Sequence, residues 1–175
     1  MQRVISGTVI HPRTIRISSK RFHKGCVIKD INSCLMTDEL VSRFPQLRPV
    51  IVIRHPLGVL RSRIRLIGKY KMPGELDFLD DESLNMEFPE ISTLKKFVRN
   101  DDPVPGLLAA WAAQLLVVLR RMEHKSHFKA VYEEFSTNPG IEFERLVAFW
   151  GQEVDDKLFQ DAVRLKANIV MSSDR

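Results

Sequence analysis

Cysteine is scarce: Cys26 and Cys34 are the only two in 175 residues, with no metal-like spacing. That excludes a disulfide framework and fits two reduced thiols in a cytoplasmic protein. Long apolar runs are missing too. The longest, Leu107–Leu119, has thirteen residues interrupted by Gln114, which suits a buried helix and not a membrane span. The opening MQRVISGTVIHPR lacks the apolar core and small cleavage-site residues of a secretory signal. The five histidines, His11, His23, His55, His124 and His127, have no zinc-ligand spacing, and no G-x-S-x-G elbow occurs. Metal and nucleophilic-serine chemistry are set aside on those grounds. Neither an internal repeat nor a low-complexity tract is present.

Acidic residues are absent from two long stretches. Met1–Lys29 carries Arg3, Arg13, Arg16, Lys20, Arg21, Lys24 and Lys29 against no carboxylate, and Arg43–Lys71 repeats the pattern. Glu75–Glu90 then holds seven acids and no lysine or arginine. The formal net charge of +5 is therefore unevenly spread, and a basic half of this kind suits an anionic ligand. The length fits one domain with its own core.

The most informative segment is Pro49–Ser62, PVIVIRHPLGVLRS. Val50-Ile51-Val52-Ile53 is a β-branched run without alternation, as expected of a strand covered on both faces. Arg54 arrives where that strand's carboxyl end meets solvent, and Pro56 suits the first turn of a helix. Leu57, Leu60, Ile64 and Ile67 follow at helical spacing. Ligands of open α/β sheets sit outside the carboxyl ends of strands, where helix N-termini attract anions. Arg54 with Ser62 makes a phosphate clamp there, since a guanidinium offers a planar fork to oxyanions. The competing reading is an arginine paired to a carboxylate and a serine turned to its own helix.

Elsewhere the pattern predicts a parallel strand at Cys26-Val27-Ile28, a helix from Met36 to about Phe44 capped by Thr37 or Asn32–Ser33, and a short helix at Ile91–Arg99. Asn100–Pro103 caps a long buried helix over Val104–Arg121. A strand at His127–Tyr132 runs into Glu133-Glu134. Asn138-Pro139 starts a helix with Ile141, Phe143, Leu146, Val147 and Trp150 inward and Gly151 as its stop. Short strands at Val4–Ile17 and a final helix at Asp155–Lys166 complete the reading. Tyr70–Glu90 reads as a flexible loop or lid. Strand and helix alternating in this rhythm predict an α/β fold with a mainly parallel sheet flanked by helices.

At this point two segments resemble the sulfotransferases that use 3′-phosphoadenosine 5′-phosphosulfate (PAPS). VIVIRHPLGVLRS resembles their 3′-phosphate motif, a strand, Arg-x-Pro and a helix with Ser eight positions after the Arg; Arg54, Pro56 and Ser62 fall in register. VYEEFSTNPGIEFERLVAFWG, at Val131–Gly151, resembles the signature Tyr-Glu-Asp-Leu, Asn-Pro and an aliphatic helix ending in Phe-Leu-Gly. The resemblance covers about Lys24 to Lys166. It implies a P-loop-type sulfotransferase architecture, with Arg54 and Ser62 on the cofactor's 3′-phosphate and Tyr132 near its adenine. It implies Lys29 as the cation steadying the sulfuryl group; the alternative is a surface lysine paired to Asp30.

Three departures accompany it. Where cytosolic members place a histidine, two residues after that lysine, this chain has Ile31, so Asp30 or an acid of Glu75–Glu90 is the implied base. No loop resembling Arg-Ser-Gly-Thr-Thr precedes Lys29; Ser6-Gly7-Thr8 has the right residue types, but Val4-Ile5 is only a short strand and no clear helix follows. The glycine- and basic-rich C-terminal segment is also missing. The expectation is therefore a single domain, incomplete at its N-terminus, that moves a sulfuryl group from PAPS to a hydroxyl or amine acceptor and releases 3′,5′-ADP. The alternative is a truncated, non-catalytic remnant that binds nucleotide or a protein partner. A nucleic-acid or glycan module resting on Arg61, Arg63 and Arg65 is less favoured, because no aromatic platform accompanies them.

Overall fold

The computed structural model describes residues 27–29, 33–67, 76–99, 101–153 and 160. The chain divides into two units, Met1–Cys34 and Leu35–Arg175, and the architecture below is that of the second. It is α/β and mostly helical, with a small parallel sheet. In chain order the elements are α1 (Thr37–Arg43), β1 (Val50–Ile53), α2 (Pro56–Ile67), α3 (Glu82–Glu87), α4 (Glu90–Lys95), α5 (Pro103–Arg121), β2 (Phe128–Val131), α6 (Tyr132–Thr137) and α7 (Pro139–Phe149). Short 3-10 turns, Cys34–Met36 and Asp77–Asp80, precede α1 and α3.

The centre of the fold is α5. The Asp102 carboxylate accepts the Val104 N–H at 2.9 Å, capping the helix just ahead of Pro103. Arg120 and Arg121 close it, where cations suit the negative end of the helix dipole. This helix is long and apolar enough to cross a membrane by length and composition, and Leu107, Ala109, Ala110, Ala113, Val117 and Val118 are buried within the protein. One core cluster gathers Ala109, Ala113 and Val117 with Leu79, Leu84, Phe88 and Ile91. A second gathers Val118 and Met122 with Ile51 of β1. The strands β1 and β2 pair in parallel, Val50 opposite Phe128 through Ile53 opposite Val131. On β2, Phe128 packs against Phe149 of α7, ring centroids 5.8 Å apart.

Several expectations need correction. Val27, Ile28 and Lys29 form no strand and are exposed; their apolar run is too short to specify one without neighbours to pair with. The rear of the acidic stretch is not a loose lid. Asp81 accepts the Leu84 N–H at 2.8 Å and caps α3, while Leu79, Leu84, Phe88 and Ile91 bury their side chains between the acids. Tyr132 does not continue a strand but opens α6. On α7 the buried positions are Glu142 and Val147, whereas Ile141 is 61% exposed. The cap of α1 is Met36, with no side-chain hydrogen bond, in place of Thr37 or Asn32–Ser33. Asp102, Pro139 and Gly151, whose φ is +66°, act as expected. The readings at Val4–Ile17, and at Asp155–Lys166 apart from helical Gln160, lie outside the described residues.

Candidate functional site

The register of the sheet decides what meets at its carboxyl end. Ile53 lies opposite Val131, so the residues that follow each strand, Arg54 and Tyr132, emerge side by side. The Arg54 guanidinium carbon sits 4.4 Å from the centroid of the Tyr132 ring, a cation–π stack. Its other neighbour is the first turn of α2 at Gly58. A Cβ built on Gly58 would lie 2.8 Å from Arg54 Nε and 3.4 Å from its guanidinium carbon. Glycine is therefore what lets the arginine lie against the helix. Ser62, exposed and four residues on, occupies the same face of α2 as Gly58.

A clasp joins the two strand ends directly. The His55 backbone N–H donates to Glu133 Oε1 at 3.0 Å across a sequence separation of 78 residues. The His55 ring then caps α2: its Nδ1 accepts the Leu57 N–H at 3.3 Å, and its carbonyl accepts from Gly58 and Val59 at 2.9 and 3.2 Å. The amides of the first turn are thus already engaged. An anion at this corner would meet the Arg54 side chain and not a bare helix N-terminus. Among the described residues Arg54 has no carboxylate partner.

Of the five residues singled out from the sequence, Arg54 and Tyr132 meet at the carboxyl end of the sheet, and Ser62 lies further along α2 on the face that carries Gly58. Lys29 is exposed and belongs to the unit Met1–Cys34. Asp30 lies outside the described residues. The acids proposed as alternative bases have other employment: Asp80 pairs with Lys95, Glu87 with Arg121 and Glu90 with Arg120, while Asp81 caps α3. Asp77 and Glu82 remain exposed. Sequence reasoning missed His55 and Gly58, which it read as spacers within the motif. The signal for Gly58 was a glycine in the first turn of a helix otherwise free of it, four residues from the arginine.

Compared with known protein families, curated proteins and solved structures, this chain matches none. The site accordingly rests on its own geometry.

Proposed function

We propose that the chain binds PAPS at the carboxyl ends of β1 and β2 and transfers its sulfuryl group to a hydroxyl or amine acceptor. The observation that carries this reading is the Arg54 guanidinium, stacked on Tyr132, without a carboxylate among the described residues, beside a helix face that offers Gly58 and then Ser62. Such a guanidinium presents paired donors to an oxyanion. A carboxylate-neutralised arginine would not be available in this way.

In the proposed complex Arg54 and Ser62 hold the 3′-phosphate by charge-assisted hydrogen bonds. Tyr132 supports the guanidinium with one face of its ring and borders the adenine. PAPS supplies a sulfuryl group attached to a phosphate leaving group. The acceptor oxygen or nitrogen bonds to sulfur as the sulfur–oxygen bond to that phosphate breaks, the acceptor proton passes to a base, and a cation offsets the charge that develops on the departing phosphate oxygen; the resemblance implies Asp30 and Lys29 for those two roles. The architecture proposed is that of a P-loop-type sulfotransferase, working in the cytoplasm.

Titration calorimetry with 3′,5′-ADP tests the reading. Binding by the full chain, weakened about tenfold to hundredfold by Arg54→Ala, is the expected result for a lost charge-assisted contact. No binding by the full chain removes the proposal. The non-catalytic alternative binds the same nucleotide without transfer. Binding of 3′,5′-ADP without transfer of radiolabelled sulfate from PAPS to any hydroxyl or amine acceptor would select it.

A further inference from the structure

The 12-residue helix α2 contains no acidic residue. Its inner side packs toward α5, where Arg63 Nη2 donates to Gln114 Oε1 at 3.3 Å. The outer side is different in kind. Leu57 is 63% exposed and Ile64 45% exposed, and Arg61 and Arg65 are exposed as well. At 3.6 residues per turn these four positions fall within about 100° of arc, forming one face with two aliphatic anchors a heptad apart and the two cations along one flank. Neither Arg61 nor Arg65 has an acidic partner among the described residues.

The geometry points to a docking face for an acidic amphipathic helix of another protein, seated on Leu57 and Ile64 with its carboxylates on Arg61 and Arg65. Charge complementarity chooses this occupant. The positive face needs carboxylates at helical spacing, and arginine is the residue that pairs with them bidentately at interfaces. A second copy of the chain supplies them poorly, because among the described residues no helix carries two unpaired carboxylates three or four positions apart. An anionic membrane would find only two aliphatic side chains to bury, too few for firm interfacial binding. Single-stranded nucleic acid would find no aromatic residue in the helix on which to stack. The face lies beside the Gly58–Ser62 edge and does not include it, so its occupation is independent of the nucleotide proposal.

Anisotropy of a labelled synthetic helix of about twenty residues, with leucine at heptad spacing and glutamates flanking each leucine, tests this against the full chain. The expected result is a Kd of the order of tens of micromolar, the range of a small transient interface. It weakens about tenfold in Arg61→Glu/Arg65→Glu and by a similar factor in Leu57→Ser, with circular dichroism unchanged. Should the charge reversal disturb folding, Arg61→Gln/Arg65→Gln serves with the same expected direction. Equal binding of a scrambled peptide, or unaltered binding by folded variants, overturns the proposal. So does tighter association with phosphatidylserine vesicles or polyuridylate than with the peptide, and so does self-association abolished by the same substitutions.

Discussion

A guanidinium resting on an exposed phenol ring is held by an attraction of about 0.5–1 kcal/mol. An oxyanion making two charge-assisted bonds to it competes easily, so the Arg54–Tyr132 stack orients the cation without sequestering it. Gly58 is the residue that allows this, and it separates stability from binding. Alanine is worth about 1 kcal/mol more than glycine inside a helix, but its Cβ would fall 2.8 Å from Arg54 Nε and push the guanidinium aside. Gly58→Ala is expected to keep or raise the melting temperature while weakening 3′,5′-ADP several-fold. Thermal denaturation and calorimetry on the same preparation check both halves. Arg54 was legible from sequence because a charge after an unbroken β-branched run has nowhere to go but the sheet's end. Its seat against Gly58 was not, since only the path of the arginine side chain creates that contact.

Among the elements, Arg121 at the end of α5 fastens three others. Its guanidinium forks onto Glu87 of α3, donates to the Leu35 carbonyl at 2.7 Å ahead of α1, and lies 3.9 Å from Asp38 of α1. The hydrogen bond from Arg121, helped by its charge against a small desolvation, holds the Glu87 carboxyl below its ordinary 4.5. A carboxyl depressed in the folded state stabilises above the unfolded value, and that stabilisation is lost as pH falls through the folded one. Glu87→Gln should therefore be less stable than the parent near neutrality, with the gap closing below about pH 4.5. Urea denaturation at about pH 6 and about pH 3.5 measures it; a gap that persists in acid would assign the loss to packing. This fastening also explains why the acidic stretch was misread. Seven acids in sixteen residues look solvated, but Leu79, Leu84, Phe88 and Ile91 recur among them at three- to five-residue intervals, and the cations that neutralise the outer face come from α4 and α5. Long-range partners of that sort leave no local signature. The helix α5 was plain from Asp102, Pro103 and its apolar girth, all of which are local.

At the scale of the whole molecule, α5 feeds both core clusters, Ala109, Ala113 and Val117 into one and Val118 with the following Met122 into the other. The unit Leu35–Arg175 should consequently unfold as one body. Met122→Ala, at a fully buried position, is expected to cost about 2–5 kcal/mol. Tryptophan fluorescence, from Trp111 within α5 and Trp150 beside the entry to β1, should shift together with far-UV circular dichroism to the same lower urea midpoint. Two separated transitions would mean that the clusters are uncoupled. The parallel pairing of β1 with β2 was legible from the alternation of strand and helix. The size of the sheet was not, because how many strands join depends on partners that a short apolar run cannot name.

The bond from His55 to Glu133 bridges 78 positions of chain, and the ring beneath Arg54 lies just as far along. During synthesis the arginine is made long before its shelf. A polypeptide released anywhere ahead of Val131 would carry the cation on an unsupported strand end, so the Arg54–Tyr132 stack forms late, when β2 and α6 reach β1.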